Sequence, residues 1–361
     1  MKVLVISKYF YPTQNPRSFR TTELVKEFSR RGIEVTVAIP NITDETLIFC
    51  KKHNIIVKRC GKEYHKISNS NLFIMRVLNK ILYKLFEFPD ITFAWSTFLF
   101  LIRTKVKYNL LLTIAFPHSI HWGAAIAKRL RKKNIFWIAD CGDPFMGNSI
   151  FNPVFYFKYL EILFCKQANY ITIPIKEGKT GYYSQFWSKV NVIPQGFNFD
   201  DVKRCKFEGN EIPTCIFAGT FYKGHRDPSS FFQYLLDVKH RYKFIIYTDS
   251  IALLDPWINK LAGNIELRSF IPRLDLIKEL SKADFLINFE NVSSIQSPSK
   301  LIDYSLADRP ILSINNNIND HSRFIDFIEG KYESALKIPI EPYNIKTVAT
   351  QFLNLYYGKS S

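Results

Sequence analysis

The chain has 361 residues, of which 47% are hydrophobic, so it is long and apolar enough for two domains of moderate size. Its six cysteines show no paired spacing, which excludes a disulfide scaffold and a zinc site and favours a reducing compartment. The net charge of +17 is uneven: residues 1–180 carry 28 Lys and Arg against 12 Asp and Glu, and residues 181–361 carry 21 against 20, so the first half is expected to face an anionic partner.

Apolar β-rich runs alternate with helical patterns along the chain, which predicts parallel sheets built from βαβ units. A first domain is predicted over 1–196, with strands near 2–7, 34–40, 54–59, 109–115, 135–139, 170–173 and 190–194 and helices at 17–31, 119–131 and 155–167. A polar linker follows at 197–212. The second domain, 213–340, has strands near 213–218, 243–248, 264–268, 284–289 and 310–314 and helices near 228–240, 255–262, 273–282 and 298–308. Residues 341–361 hold a last helix.

The start of the chain lacks the charged region and cleavage site of a signal peptide, which predicts a cytoplasmic location. Residues 73–88 predict a basic amphipathic helix, with Arg76, Lys80 and Lys84 on its polar face. The apolar stretch at 91–102, which includes Trp95, is too short to span a bilayer, since that needs about 20 residues. The two segments predict either peripheral contact with an anionic membrane surface, which we favour, or packing on the first sheet.

A short segment that reads Ser-Pro-Ser-Lys-Leu-Ile-Asp-Tyr predicts an anion site at the start of a helix. Ser297 is a suitable N-cap and Pro298 fits the first turn, so the backbone N–H groups of Ser299 and Lys300 point outward with partial positive charge. Asp303 falls on the same helical face one turn later. There a carboxylate accepts hydrogen bonds from the hydroxyls of a sugar or ribose.

This segment, which contains Leu301, resembles the nucleotide-binding helix of family 4 glycosyltransferases, in the branch with Pro-Ser-Lys-Leu-x-Glu-Tyr before a Pro-Ile or Pro-Val strand. Further similar pieces stand in the same order at 1–12, 31–37, 116–119, 139–145, 192–197, 217–220 and 270–272. Several matches in order are more specific than any one of them. The resemblance implies the α/β GT-B fold: two Rossmann-like, doubly wound domains facing each other across a cleft, with a C-terminal helix crossing back to the first domain.

By resemblance the second domain binds a nucleotide sugar, and cations there hold the departing diphosphate. Lys300 is one candidate, and Lys223 and Arg226 lie in the loop that follows Gly219 and Thr220. Many family members have an Arg where this chain has Thr220, so both loop cations remain candidates. Arg226 is favoured because its planar fork suits bidentate phosphate binding.

The family's Glu-x7-Glu pattern is incomplete here. Asp303 takes the second place, which implies contact with the ribose, and the first place falls at Ile295. Either Glu290 or Gln296 is left as the polar contact to the donor sugar. The backbone that holds the base is implied, by resemblance, to be that of Phe270, Ile271 and Pro272.

In the first domain, a polar loop with Arg17 and Arg20 replaces the family's glycine-rich loop. Either arginine is a candidate to bind the donor diphosphate or a phosphate on the acceptor. The family position that matches His118 lies near the reacting sugar, where imidazole binds a hydroxyl or assists proton transfer. Asp140 and Asp143 flank the end of a strand, and Asp143 is the candidate to bind or deprotonate the acceptor hydroxyl.

No Asp-x-Asp occurs in the sequence, so catalysis is expected to need neither a metal nor another cofactor. The resemblance implies a retaining hexosyl- or N-acetylhexosaminyltransferase with a UDP-linked donor and a lipid-diphosphate-linked saccharide or polysaccharide acceptor. It implies a role in O-antigen or capsule assembly on the inner face of the plasma membrane. A sugar-nucleotide 2-epimerase and a basic nucleic-acid-binding protein are the alternatives. We expect no nucleic-acid partner, since no recognised binding motif occurs. No Gly-x-Gly-x-x-Gly follows a strand, which argues against a dinucleotide oxidoreductase.

Overall fold

The structure is a computed structural model that describes residues 1–62, 81–83, 85, 88–131, 135–148, 153–223, 226–290, 299–315 and 322–358. The chain divides into two compact units. The first holds residues 1–197 together with the chain from Pro342 onward, and the second holds Asn198–Glu341. Each unit is built around a parallel sheet of its own.

The described residues of the first unit form a seven-stranded sheet. Its strands are β1 (Lys2–Ser7), β2 (Glu34–Ile39), β3 (Ile56–Arg59), β4 (Leu110–Ile114), β5 (Phe136–Asp140), β6 (Tyr170–Ile173) and β7 (Val190–Val192). They pair in parallel in the order β3-β2-β1-β4-β5-β6-β7. The order reverses between β1 and β4, which is the arrangement of a doubly wound sheet.

Helices cover both faces of this sheet. They are α1 (Pro16–Arg30), α2 (Asp44–Lys52), α3 (Ile91–Arg103), α4 (Ser119–Arg131) and α5 (Phe157–Gln167), with short 3-10 helices at Lys176–Gly181 and Ser184–Lys189. Successive strand residues point to opposite faces, so Val3 and Val5 pack in the core that contains α1, whereas Leu4 and Ile6 pack in the core that contains α4. The sheet is therefore buried on both sides, which explains its continuous apolar strands.

The second unit has a five-stranded parallel sheet among its described residues. Its strands are β8 (Thr214–Ala218), β9 (Lys243–Tyr247), β10 (Ile265–Arg268), β11 (Phe285–Phe289) and β12 (Ile311–Ile314), in the order β10-β9-β8-β11-β12. Its helices are α6 (Ser229–Leu235), α7 (Asp255–Ile258), α8 (Arg273–Leu280), α9 (Ser299–Ala307) and α10 (Arg323–Ile328). Short 3-10 helices cover Ile251–Leu253 and Glu341–Tyr343. The strand order reverses between β8 and β11, so this sheet is doubly wound as well.

The last helix, α11 (Ile345–Tyr357), belongs to the first unit. Val348 and Phe352 are fully buried in the core that contains α1. Arg31, at the end of α1, donates to the carbonyl of Lys346 at 2.5 Å and to Thr350 Oγ1 at 2.9 Å. The prediction that the C-terminal helix crosses back to the first domain is confirmed.

The segment predicted as a linker contains no helix or strand from residue 198 to residue 212. Part of it is nevertheless fixed along the second unit. Arg204 Nε donates to the carbonyl of Leu306 at 2.7 Å, and the backbone N–H of Cys205 donates to Ser281 Oγ at 2.9 Å. Arg204 and Cys205 are therefore held by hydrogen bonds that involve side chains rather than by the backbone hydrogen bonds of a β-sheet.

Several helices differ from the sequence-based expectation. The pattern did not predict α2 or α10; α2 buries only Thr46 and Cys50, so its apolar signal is weak, and a capping box between Thr43 and Thr46 marks its start. Helix α7 ends at Ile258 instead of near 262. Helix α6 ends at Leu235 instead of near 240, where the backbone bonds change to the i, i+3 pattern of a turn.

The apolar stretch 91–102 is the helix α3. It packs Phe93 and Thr97 inward against α4, at the point where the absence of a side chain at Gly123 lets the two helices approach closely. Trp95 is 61% exposed on its outer side. No helix among the described residues is long and apolar enough to cross a bilayer. The predicted polar face of Arg76, Lys80 and Lys84 lies outside the described residues.

Candidate functional site

The two switch points define where each sheet is suited to bind a ligand. In an open parallel sheet, the loops leaving two neighbouring strands diverge where the strand order reverses, and a crevice opens at the carboxyl ends of the strands. In the second unit this point lies between β8 and β11, beside Gly219 and the start of α9. In the first unit it lies between β1 and β4, beside the start of α1 and His118.

Lys300 places a buried nitrogen at the switch point of the second sheet. Its Nζ is inaccessible to solvent and makes no hydrogen bond to any residue that the structure describes. It lies 4.6 Å from the centroid of the Phe217 ring and 5.9 Å from that of Tyr304. Burial, and to a lesser degree the charge of Arg226, hold the pKa of Lys300 well below its ordinary value. Because an unpaired buried charge is costly, this arrangement favours an anionic ligand.

Arg226 and Gly219 complete the same corner. Arg226 donates from NH1 to the carbonyl of Thr220 at 3.2 Å, and burial lowers its pKa as well. A Cβ added at Gly219, whose φ is +150°, would lie 3.8 Å from Lys300 Cδ and 3.9 Å from Arg226 NH1. The glycine backbone therefore stands beside both cations, as close approach to a phosphate requires. Lys223 is exposed and has no ion pair within the described residues, so the geometry brings Arg226 rather than Lys223 to Lys300.

Tyr304 is a residue of this corner that the sequence reasoning did not assign. Its hydroxyl accepts from the backbone N–H of Ala218 at 2.7 Å and lies 3.3 Å from the Ala218 carbonyl, to which it donates. The side chain is 1% exposed. These bonds fix α9 to the end of β8 and so position Lys300, one turn earlier on the same helix. The Tyr at the end of the quoted motif was the available signal.

Asp303 is engaged by a partner that the sequence did not suggest. Arg273, at the start of α8, donates to its Oδ1 from Nε at 2.8 Å and from NH2 at 2.5 Å. Burial raises the pKa of Asp303, and the Arg273 charge and hydrogen bonds oppose that shift. Both bonds use one carboxylate oxygen, which leaves Oδ2 as the atom able to accept from a hydroxyl. Because Arg273 follows Pro272 directly, the pair ties α9 to the predicted base-binding loop.

That loop borders a pocket of about 610 Å³ at the carboxyl ends of β9 and β10. Ile271 and Pro272 line it, and Phe270 is 44% exposed beside them. Its other walls are Tyr247, Arg268, Ser269, Asp275, Lys278 and Glu279. A pocket with an aromatic ring, an arginine and exposed backbone has the mixed lining of small-molecule sites.

Some of the residues predicted to bind the donor lie outside the described residues. Ser297, Pro298, Ile295 and Gln296 belong to this group, while Ser299 begins α9 and Leu301 is half-buried within it. Glu290, the other residue left open for the donor sugar, is described: its Oε1 accepts from Ser313 Oγ at 2.7 Å.

In the first unit, Arg20 is held by internal hydrogen bonds. It is 2% exposed and donates to Asp140 Oδ1 at 2.8 Å and Oδ2 at 3.1 Å, and to the carbonyls of Ile193 at 3.1 Å and Pro194. Its guanidinium also lies 5.1 Å from the ring of Phe352 in α11. Four of the five N–H groups that an arginine has are thus committed. Binding of a diphosphate by Arg20 stays a prediction, and these bonds disfavour it.

Arg17 is the arginine with donors to spare. Its NH1 lies 4.0 Å from Asp140 Oδ2, beyond hydrogen-bond distance, and its side chain is 21% exposed. A Cβ at Gly142 would come within 2.1 Å of its NH2, so this glycine makes room for the guanidinium. Burial lowers the pKa of Arg17, and the charge of Asp140 opposes that shift. An incoming anion would pair with it directly.

His118 lies beside Arg17 as a neutral imidazole. Its Nε2 is 2.7 Å from the backbone carbonyl of Asp143, so that nitrogen carries the proton and donates it. Nδ1 is buried and makes no hydrogen bond within the described part of the unit, which leaves it able to accept one from a hydroxyl. Burial lowers the pKa of His118 to about 4. The Asp143 side chain is exposed, so Arg17, His118 and Asp143 together offer a cation, an acceptor and a carboxylate.

We expect His118 to stay neutral across the range of about pH 5–8 in which a free imidazole titrates. The folded pKa of His118, about 4, lies below the unfolded value near 6.5, so protonation favours unfolding. The stability that the neutral imidazole contributes is therefore lost as pH falls from about 6.5 to about 4. Proton–nitrogen NMR correlation of the imidazole rings should show Nε2 protonated and unchanged at pH 5.5. The signal that disappears in His118→Gln is that of His118, and the exposed His240→Gln variant, which should retain it, is the control. A His118 signal that titrates near pH 6.5 contradicts the assignment.

The chain is similar to several solved structures over nearly its whole length. No protein family model and no curated protein matches its sequence. The lipopolysaccharide outer core galactosyltransferase WaaB aligns with a TM-score of 0.59 and 12% identity, covering 100% of both chains. HepE of Anabaena, solved with UDP and glucose, aligns with a TM-score of 0.56 and 11% identity over 99% of this chain and 100% of that one. The UDP-GlcNAc 2-epimerase of Neisseria meningitidis, bound to UDP-GlcNAc, aligns with a TM-score of 0.58 and 14% identity over 99% of this chain and 100% of that one.

These similarities, together with the two doubly wound parallel sheets, define the chain as a protein of the GT-B fold. The predicted fold class is confirmed. At 11–14% identity the fold is shared, and the chemistry of this chain must be argued from its own residues.

Proposed function

We propose that the protein is a retaining, metal-independent glycosyltransferase. It moves a hexosyl or N-acetylhexosaminyl group from a nucleotide diphosphate sugar, UDP-linked, to a lipid-linked or polysaccharide acceptor in the assembly of bacterial surface polysaccharide, O-antigen or capsule. The observation that carries this proposal is the buried Nζ of Lys300 at the switch point of the second sheet, which has no hydrogen-bond partner in the described part of the chain. WaaB is a galactosyltransferase and HepE was solved with UDP, and these similarities support the reaction class and the donor.

The chemistry follows from charge. As the glycosidic bond breaks, negative charge grows on the leaving diphosphate, and cations already placed in a water-poor corner stabilise it strongly. Lys300 and Arg226 supply this positive charge beside Gly219, with Lys223 as a more exposed contributor. Protein cations at this point, and a sequence without Asp-x-Asp, support transfer without a metal.

The ribose and base are assigned to neighbouring groups. Asp303 would accept a ribose hydroxyl through Oδ2 while Arg273 holds Oδ1. The base would enter the pocket beside Ile271 and Pro272, where backbone groups of the loop can form hydrogen bonds with the edge of the base.

The acceptor is assigned to the first unit. Asp143 would bind or deprotonate the attacking hydroxyl, and His118 Nδ1 would accept a hydrogen bond from a sugar hydroxyl. Arg17 would pair with a phosphate of a lipid-diphosphate carrier. Trp95 and the basic segment 73–88 would hold the protein on the inner face of the plasma membrane; the excess charge of the first half supports this location.

Ligand-induced thermal stabilisation tests the donor assignment. Among UDP, GDP, dTDP and their sugars, UDP compounds are expected to raise the melting temperature most, because a ligand at 100 times its Kd stabilises the folded state by about 2.7 kcal/mol. If none of these nucleotides shifts the transition, the donor site is wrong.

Sugar-nucleotide 2-epimerisation is the second candidate, because the Neisseria epimerase aligns about as well as the transferases. Product analysis with UDP-GlcNAc and no acceptor separates the two. A transferase leaves the sugar unchanged apart from slow hydrolysis, whereas an epimerase inverts C2. The strong positive charge of the first half favours the transferase, since an epimerase has no anionic acceptor to bind.

A further inference from the structure

A second pocket lies in the first unit, far from the residues assigned above. It has a volume of about 300 Å³, and we call it the amino-edge pocket. It opens between the C-terminal ends of α3 and α4, at the edge of the sheet where β1, β4 and β5 begin. Its walls include Leu4, Leu101, Leu111, Ala124, Ala127 and Ile135. Arg17 and His118 lie at the opposite, carboxyl edge of the same sheet, so the amino-edge pocket is a separate site.

The small side chains of α4 explain why the space exists. Ala124 and Ala127 face the pocket one turn apart, and neither reaches across to α3. Tyr108 closes one side, and Val106 stands at the mouth with 38% of its surface exposed. The lining is therefore apolar in depth, which suits a hydrocarbon and does not suit a sugar or nucleotide.

The mouth of the amino-edge pocket is cationic. Lys107 and Lys128 line it directly, and Lys58 Nζ lies 3.5 Å from the hydroxyl of Tyr108 in its wall. Lys128 Nζ donates to the carbonyl of Gln167 at 2.9 Å and to Asn169 Oδ1 at 3.1 Å, which leaves one of its three N–H groups for a ligand. Lys107 is exposed and has no ion pair among the described residues.

No acidic residue offsets this charge nearby in the sequence. Between Asp90 and Asp140 the chain contains eight Lys and Arg and no Asp or Glu. Helices α3 and α4 both end at the amino edge of the sheet, so Arg103 and Lys105, like Lys107 and Lys128, gather there. Arg129 is exposed on the last turn of α4.

We propose that the amino-edge pocket binds one acyl chain of an anionic membrane lipid, with the lipid phosphate on Lys107 and Lys128. An apolar cavity with a cationic mouth is complementary to an amphiphile whose chain is apolar and whose head is negative. A volume of about 300 Å³ lies at the lower end of the range for ligand sites and fits one chain rather than a whole lipid. This site does not depend on the transferase reaction, and it differs from the surface contact through Trp95.

Binding of monomeric lysophosphatidylglycerol, below its critical micelle concentration, tests the proposal on the full-length protein. We expect it to raise the melting temperature, with lysophosphatidylcholine of the same chain much weaker and glycerophosphoglycerol, the head group without a chain, inactive. Equal shifts in melting temperature with the two lysolipids would contradict binding of the phosphate by the lysines. A full shift with the head group alone would contradict binding of the acyl chain in the cavity.

Two variants locate the site. Ala127→Phe fills the amino-edge pocket without changing charge and should abolish the lysolipid response while the UDP response persists. Lys107→Gln should weaken binding about fivefold, the effect of one lysine near an anionic lipid, whereas Lys176→Gln, an exposed lysine elsewhere, should change nothing. If Ala127→Phe folds and still responds, the proposal is wrong.

Photo-crosslinking gives an answer that does not require a folded variant. A lysophosphatidylglycerol with a diazirine at the end of its chain, bound to the wild-type protein, should label peptides that contain Leu101 or Ala127. Labelling confined to peptides with Trp95 or residues 73–88 would instead assign the lipid to the membrane contact proposed above and overturn the pocket.

Discussion

Replacing Lys300 with methionine is expected to abolish tight binding of UDP while leaving the ligand-free protein at least as stable as the wild type. Methionine matches the length of the side chain and keeps its packing against Phe217 and Tyr304. It also removes a buried charge that has no partner, which relieves a desolvation cost. Loss of function with no loss of stability is a pattern that a merely structural lysine would not produce.

The effect on turnover should be large. Removing one preorganised group that stabilises transition-state charge typically costs about 10²–10³ in kcat. Calorimetric titration with UDP and initial rates with the preferred donor are the measurements. Lys239→Met, at an exposed lysine of the same unit that has no assigned role, is the matched control and should have a small effect. Unchanged UDP affinity in Lys300→Met would exclude this corner as the diphosphate site.

The same lysine should give the ligand-free protein a pH-dependent stability. Burial holds its folded pKa well below the unfolded value near 10.4, so the unfolded state binds the proton more tightly. Stability contributed by this group therefore rises as pH increases between the folded and unfolded values. The groups that act on it are Arg226, which lowers its pKa further, and the ring of Tyr304. The difference between wild type and Lys300→Met should shrink as pH approaches 10, and a difference independent of pH would contradict a buried, titrating ammonium.

Replacing Arg20 with methionine is expected to destabilise the first unit by about 3–5 kcal/mol, the usual cost of removing one partner of a buried ion pair. Asp140 is 1% exposed and would keep only the hydroxyl of Thr172, at 2.7 Å, and the more distant Arg17. The carbonyls of Ile193 and Pro194 would lose their donor as well. The loss thus combines an unpaired charge with unsatisfied backbone groups.

Urea unfolding followed by tryptophan fluorescence measures this effect, because four of the five tryptophans, Trp95, Trp122, Trp137 and Trp187, belong to the first unit. Arg17→Met is the matched control. Its guanidinium makes no hydrogen bond to Asp140, so its stability should change by no more than about 1 kcal/mol. Equal losses in the two variants would mean that the Arg20 pair is not the main contribution.

The fold was predictable because its signals are local. Each buried strand is a short apolar run between turn signals, and the predicted strands differ from the observed ones by about two residues or fewer at each end. The role of Lys300 was predictable for the same reason, since the sequence signals of a helix start and a short motif lie within one turn of each other. Helix α2 was missed because its contacts are few and its cap is a side-chain bond between Thr43 and Thr46.

The side-chain partners were not predictable, because they join distant parts of the chain. Arg17 and Arg20 look alike in sequence, one turn apart at a helix start. Only the fold places Asp140, 120 positions away, against Arg20 and beyond hydrogen-bond distance from Arg17. The Arg273–Asp303 pair likewise depends on the packing of α8 against α9, which no local pattern reports.

The return of α11 to the first unit has a consequence for biogenesis. Phe197 forms an isolated parallel bridge with Asn344, just before α11, through two backbone bonds: its N–H donates to the carbonyl of Tyr343 at 2.8 Å, and its carbonyl accepts from the N–H of Ile345 at 2.9 Å. Residues 198–341 are thus one uninterrupted insertion, able to fold on the ribosome as soon as they emerge. The surrounding unit must wait, with an apolar gap where Phe352 belongs, until α11 itself has been synthesised. Nascent chains stalled before α11 should accordingly be the species that chaperones hold.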